Sequence, residues 1–313
     1  RALLVAQKAL QVAEKKVGLN HPNVATTLFI LGDIYENRGD DDSAEALYKR
    51  ALAIYKKAKD TDNPDVATLL SNLGLLYYTR GDYDSAEPLL KRALAINKKA
   101  KGPNHPNVAG FLLSLGSLYQ NRGDYDSAEP LLKRALAIYE KANGPDDTNV
   151  AYCLDDLGDI YVKRGDYDSA EALYKRALAI YEKAKGPDDT FVAYSYCLDD
   201  LGRLYQTRSD YASAEPLLKR ALTIYEKVFG PDNTFVATGL NNLGSLYLAR
   251  SDYASAEPLL KRALTMFEKF LGPDHPDVAE CLENLARLYK ATKRISEANA
   301  LEKRAARIRA IKR

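Results

Sequence analysis

Residues 106–145 read PNVAGFLLSLGSLYQNRGDYDSAEPLLKRALAIYEKANGP, and this stretch decides the fold. In its first half Val108, Ala109, Leu112, Leu115, Gly116, Leu118 and Tyr119 recur at spacings of three and four. That is the period of an amphipathic helix, here termed helix A and expected from Pro106 to Gly123. Gly123, in the turn Arg122-Gly123-Asp124, suits the left-handed conformation that ends a helix. Asp124 and Asp126 are placed to cap the free N–H groups of the next one. Helix B is expected from about Ser127 to Ala142, with Ala128, Leu131, Leu132, Ala135, Leu136, Ile138 and Tyr139 on its apolar face. Pro130 falls in its first turns, where a missing N–H costs least. Gly144-Pro145-Asp146-Asp147 then turns the chain into another helix A.

The unit recurs throughout the 313 residues. A Leu followed by Gly or Ala stands four residues before a Tyr at Leu31/Tyr35, Leu73/Tyr77, Leu115/Tyr119, Leu157/Tyr161, Leu201/Tyr205, Leu243/Tyr247 and Leu285/Tyr289. The steps between them are 42, 42, 42, 44, 42 and 42 residues. A helix pair of that length cannot bury its own core and must stack on its neighbours. The expected organisation is a leading helix B at 1–17 and seven repeats at 18–60, 61–102, 103–144, 145–186, 187–230, 231–272 and 273–313. The last helix B, expected from Ser296 to Arg313, puts Glu302, Ala306 and Arg309 where internal repeats are apolar or aromatic, as a terminal cap requires. Its Arg307, Arg309, Lys312 and Arg313 complement the helix dipole.

Two extra residues in the fifth repeat lie within 191–197. Two residues rotate a helix by about 200°, so a lengthened helix A or a bulge is expected there, with Tyr194 or Tyr196 projecting at the groove and a local change of pitch. At the other end, the chain opens Arg1-Ala2-Leu3-Leu4 without an initiator Met and without a helix A before residues 1–17. A fragment of a longer protein is expected, with Leu3, Leu4 and Leu10 presenting apolar surface and favouring end-to-end self-association.

A formal net charge of +2 and a charged fraction of 28% describe neither a basic nucleic-acid binder nor an acidic tail. No apolar run approaches the roughly 20 residues of a membrane helix, and no signal peptide is evident. Cys153, Cys197 and Cys281 hold equivalent places just before a core Leu, too far apart for disulfides if helices pack at about 10 Å. Three free buried thiols fit a reducing cytoplasm, the expected location. His21, His105 and His275 each precede Pro in the same connector and stand repeats apart, so they read as turn residues, with no metal or cofactor expected. No nucleophile elbow or phosphate-cradling loop is present, so no catalytic residue is assigned and the chain reads as a non-enzyme.

Arg38-Gly39-Asp40 and its copies at Arg80, Arg122 and Arg164 spell an adhesion tripeptide, but helix ending and helix capping account for it, and Ser209 and Ser251 replace the Gly later. A ladder of Lys-Arg pairs along helix B, from Lys49-Arg50 to Lys261-Arg262, has a Glu four residues before each Lys. That order is a favourable intrahelical pair, so the ladder reads as a solvated face rather than a phosphate grip.

The spacing Leu-Gly-x-x-Tyr, Ala, Ala resembles the tetratricopeptide repeat. With Ala-Glu-Pro-Leu-Leu-Lys-Arg-Ala-Leu at 86–94 and 128–136 and Gly-Pro-Asp-His-Pro-Asp-Val-Ala at 272–279, the 42-residue unit resembles the kinesin light chain type. The resemblance implies an all-α fold, a right-handed superhelical solenoid of antiparallel helix pairs whose concave wall, lined by helix A, receives a peptide. It also implies that an Asn directly before the Leu-Gly or Leu-Ala pair holds that peptide. Asn72, Asn242 and Asn284 match, whereas Asp156 and Asp200 depart.

Positions of helix A that point away from helix B vary between copies, and these are the candidate peptide-binding residues: Ser71, Asn72 and Tyr78; Ser114 and Ser117; Asp155, Asp156 and Asp159; Asp199, Asp200 and Arg203; Asn241, Asn242 and Ser245; Asn284 and Arg287. Asn offers a donor and an acceptor together, which suits a peptide backbone. Five Asp in two adjacent repeats predict a preference for a ligand with Lys or Arg at its centre. The first reading is therefore a non-catalytic scaffold for a partner peptide. The alternative is a structural spacer or end-to-end assembly module with an empty groove, in which the acidic wall is merely solvated.

Overall fold

The computed structural model describes residues 2–58, 60–184 and 188–311, without the side chains of 188–190. Lys312 and Arg313, expected to complement the last helix dipole, lie outside the described residues. Two compact units form, Arg1–Pro145 and Asp146–Arg313. Among the described residues there are fifteen α-helices and no strand.

The first unit contains α1 (Ala2–Val17), α2 (Pro22–Glu36), α3 (Asp41–Lys57), α4 (Pro64–Thr79), α5 (Tyr83–Lys101), α6 (Pro106–Asn121) and α7 (Tyr125–Asn143). The second contains α8 (Thr148–Arg164), α9 (Tyr167–Ala184), α10 (Asp188–Thr207), α11 (Tyr211–Phe229), α12 (Thr234–Ala249), α13 (Tyr253–Leu271), α14 (Pro276–Ala291) and α15 (Ile295–Arg309). Even-numbered helices are helix A, and each packs on the odd-numbered helix B that follows it. Within each unit successive pairs stack, and α8, α10, α12 and α14 also touch in sequence to form a layer of A helices.

Helix B starts two residues earlier than the apolar pattern suggested. In the third repeat Asp124, not Asp126, is the N-cap, its side chain accepting from Ser127 N at 3.1 Å. The same Asp-to-Ser bond of 3.1–3.2 Å caps α3, α5, α9, α11 and α13. Helix A ends at Asn121 rather than Gly123, and α15 runs from Ile295 to Arg309. The three histidines do more than turn the chain. His21, His105 and His275 are N-caps, each accepting through Nδ1 from a backbone N–H at 3.1–3.2 Å, the task that Asn63, Asp147 and Asn233 perform elsewhere.

One glutamate fastens each of the junctions α3/α4, α5/α6, α9/α10 and α11/α12 between a helix B and the next helix A. Glu87 of α5 accepts from Lys91 at 2.6 Å, from the Tyr119 hydroxyl of α6 at 2.9 Å, and from Arg122 at 2.6 Å. Glu45, Glu171 and Glu215 repeat this arrangement, with Arg250 as the guanidinium partner of Glu215. These cationic partners hold the carboxyls of Glu45, Glu87, Glu171 and Glu215 below the usual range. The Lys ladder is therefore committed to carboxylates, and Arg122 of the adhesion-like tripeptide also grips Asp84 at 2.7 Å.

The insertion lengthens α10 to 20 residues against 15 in α2 and 17 in α8. Counting back from Cys197 and Cys153, Tyr194 and Ser195 occupy the buried places that Val150 and Ala151 hold one repeat earlier. Tyr194 therefore turns away from the groove face. Its hydroxyl donates to Glu182 at 2.8 Å and Arg220 covers its ring. Tyr196, 200° away, stays on the helix-A stripe. At the N-terminus Leu10 packs against the core and Leu3 is half-buried, whereas Leu4, Val5 and Val12 are exposed. The free apolar stripe thus lies one helical face away from Leu10. The three thiols are free and buried.

Candidate functional site

One stripe of helix A carries residues at a spacing of three and four: Tyr152, Asp155, Asp156 and Asp159 on α8, then Tyr196, Asp199, Asp200 and Arg203 on α10. Because α8, α10, α12 and α14 adjoin, their faces form one polar layer in the second unit. Side-chain hydrogen bonds knit it. Asn242 donates to Asp199 at 2.5 Å, Asn284 to Asn241 at 2.9 Å, Asn241 to Glu280 at 3.2 Å, and Gln206 to Ser245 at 3.1 Å. Asn284 also accepts from Arg287.

These bonds modify the expected role of the matching asparagines. Asn72, Asn242 and Asn284 each give a side-chain N–H to the preceding helix A, Asn72 to Asp33 at 3.0 Å. Ser71, Asp199, Asn241, Asn242 and Asn284 are buried, so the face is not a uniformly wet wall. Ser114 and Ser117 donate to carbonyls of their own helix, Gly110 and Leu113, at 3.1 Å. Tyr78 accepts from Asn121 at 2.7 Å. In the first unit the candidates therefore form local ties without a concentration of charge.

The second unit differs. Burial, reinforced by the Asp159 carboxylate, pushes Asp155 and Asp200 well above the usual carboxylate range. Burial likewise raises Asp199 to about 6, partly opposed by Arg203 and by the Asn242 bond. Arg203 meets Asp200 at 3.6 Å with its side chain 57% exposed, a solvent-screened contact at the rim. Asp159 accepts from the Tyr174 hydroxyl at 2.6 Å. Beneath the layer, Asp155 Oδ1, Asp199 Oδ1 and the hydroxyls of Tyr181 and Tyr225 are buried without a hydrogen-bond partner. Among the described residues no cluster of His, Cys, Asp and Glu is arranged to hold a metal ion.

The sequence reading missed the helix-B tyrosines that reach this face. Tyr48 and Tyr174 stand where the other internal repeats carry Leu, and their hydroxyls meet Asp33 and Asp159, both at 2.6 Å. A signal was available: in internal repeats one and four alone, Tyr at that place of helix B accompanies Asp at the matching place of helix A.

A stack of two-helix hairpins with a polar helix-A face defines an all-α repeat protein of the scaffold class. The tetratricopeptide repeat model matches residues 2–57, 65–140, 108–183, 189–269 and 235–310, and the chain belongs to the tetratricopeptide repeat family. A search of the curated proteins returns no match. The chain is similar to the solved structure of BtubC (BKLC) from P. vanneervenii, 24% identical over 74% of this chain and 92% of that one, TM-score 0.60. It is similar to a Podosopora anserina putative kinesin light chain with nearly identical repeats, 21% identical over 66% and 97%, TM-score 0.53. It is also similar to the Rap conjugation gene regulator of the plasmid pLS20 in complex with the Phr* peptide, 17% identical over 91% and 73%, TM-score 0.68. At these identities the likeness is one of fold. No helix among the described residues is long and apolar enough to cross a membrane.

Proposed function

We propose that the chain is a non-catalytic scaffold whose helix-A layer, centred on α8 and α10, receives a peptide segment bearing Lys or Arg near its middle. The observation that carries this reading is the set of five carboxylates, Asp155, Asp156, Asp159, Asp199 and Asp200, of which Asp155, Asp199 and Asp200 are withdrawn from water far enough to bind protons tightly. Desolvated carboxylates gain most from a cationic hydrogen-bond donor. The peptide in the pLS20 regulator complex lends support at the level of fold. The pairing of the Lys ladder with Glu argues against nucleic acid as partner. Free buried thiols fit a reducing cytoplasm.

Fluorescence titration with short peptides of both signs tests the reading. Lys-centred peptides are expected to bind wild-type protein and to lose about tenfold in affinity on Asp156→Asn/Asp200→Asn. Tighter binding of Glu-centred peptides to the wild type would sink it.

A second reading, end-to-end assembly, draws on the exposed stripe of α1, where Val5 and Val12 are 64% and 63% exposed. If it holds, sedimentation at about 100 μM shows a dimer that Val5→Lys/Val12→Lys dissolves. A monomer at that concentration removes it.

A further inference from the structure

Two consecutive repeats of the second unit carry the same three-residue arrangement. Tyr152, Asp155 and Tyr181 in one correspond to Tyr196, Asp199 and Tyr225 in the next, each displaced by 44 residues. In both, an outer half-exposed tyrosine lies against an inner buried one: 5.7 Å between ring centroids for Tyr152 and Tyr181, 5.8 Å for Tyr196 and Tyr225. The inner rings are 4% and 1% exposed, yet neither hydroxyl makes a hydrogen bond of ordinary geometry, although the Ser195 side chain lies beside that of Tyr225. Asp155 and Asp199 each keep one oxygen, Oδ1, in the same condition, although Asp199 is only 5% exposed. Native proteins keep few such atoms, because a buried polar group without a partner is destabilising. Here four of them sit at equivalent places in two adjacent boxes. In the other repeats the aspartate's place holds Phe29, Ser71, Leu113, Asn241 or Glu283, so the doubling is particular to this pair.

We propose that the two boxes form a paired receptor for two cationic side chains, Lys or Arg, three residues apart on one peptide in the polyproline II conformation. The inference rests on the basic-ligand reading above and adds the register. Each box offers what an ammonium or guanidinium needs: a carboxylate oxygen, a phenol oxygen, and the face of the outer tyrosine, which must swing aside to admit it. Equivalent helices packed at 8–10 Å separations place the boxes about 10 Å apart. A polyproline II segment brings residue i+3 back to the same face after about 9.3 Å. In a β-strand the same step of about 10 Å points the side chain the opposite way, and same-face neighbours fall at about 6.6 or 13 Å. Register therefore follows from the spacing of the boxes.

The test uses fluorescence anisotropy on the full chain with labelled proline-rich peptides. One carries Lys at i and i+3, one at i and i+2, one a single Lys, one Glu at i and i+3; an alanine-rich helical peptide carries Lys at i and i+7. The i,i+3 peptide is expected to bind at least about tenfold tighter than the single-Lys peptide, because the second contact forms at high effective concentration. Asp155→Asn or Asp199→Asn each reduces it to the single-Lys level. Tyr181→Phe/Tyr225→Phe weakens binding several-fold yet raises the melting temperature, a combination that a purely structural role does not produce. Equal affinity at every spacing, preference for the helical peptide, or unchanged binding in the Tyr→Phe protein overturns the paired receptor while leaving the basic-ligand reading intact. Failure of every Lys peptide to bind overturns both.

Discussion

Asp155→Asn/Asp200→Asn is expected to be more stable than the wild type at about pH 7.5, by on the order of 1–3 kcal/mol for each desolvated carboxylate relieved of its charge. Both acids are raised above their ordinary value by burial and by the neighbouring Asp159 carboxylate. An acid whose native pKa is raised binds its proton more tightly folded than unfolded. The native state is therefore penalised as pH climbs from the unfolded value towards the native one, and the full penalty stands above the latter. Asp199 adds to the same slope between about pH 4 and its native value of about 6. Urea denaturation of wild type and variant should show the gap closing as pH falls towards about 4. A variant less stable than the wild type at pH 7.5 would mean that these carboxylates are satisfied by structure rather than held in reserve for a ligand. Gain of stability with loss of binding is the trade expected of a functional site.

Gly158→Ala should cost about 1 kcal/mol net, measured by thermal or urea unfolding. Two effects oppose. Alanine improves helix propensity by about 1 kcal/mol. A Cβ at Gly158, however, would lie 2.5 Å from Tyr174 Cε1 and 2.8 Å from its Cδ1. The ring cannot yield freely, since it is 1% exposed and its hydroxyl is held at 2.6 Å by Asp159. Overpacking of this kind costs about 1–3 kcal/mol and outweighs the propensity gain. The chain contains its own control. In the seventh repeat this place is Ala286, and the facing helix-B residue is Glu302, which turns out to Lys290 at 2.6 Å. Ala286→Gly should therefore destabilise through propensity alone. A neutral or stabilising Gly158→Ala would show that the A and B helices of this pair are not in tight contact.

The period of 42 residues made the helix pairs legible, because the apolar spacing repeats the same local signal seven times and the Gly-Asp turn four times. Helix ends were less so. Tyr125 is polar enough to look like turn, yet Asp124 caps the helix one residue earlier by binding Ser127 N. The fifth repeat was legible as a longer helix but not in its facing, since only packing decides that Tyr194 replaces Val150 in the core. The acidic place was visible as Asp155, Asp156, Asp199 and Asp200. What the sequence did not disclose was how far Asp155, Asp199 and Asp200 are withdrawn from water, because the inner tyrosines beside them, Tyr181 and Tyr225, belong to helices B some 25 residues away. The asparagines show the converse. A residue type suited to holding a peptide backbone also serves to tie one helix A to the next, and Asn242 does so with Asp199 at 2.5 Å.

Hydrogen–deuterium exchange on the full chain, with and without a saturating peptide carrying Lys at i and i+3, tests most directly whether the helix-A layer of the second unit is the receptor. The account predicts added protection concentrated in α8 and α10 and in the adjoining α9 and α11, abolished by Asp155→Asn/Asp199→Asn. Protection confined to α1–α7, or to the outer faces of helices B with α8 and α10 unchanged, would contradict it.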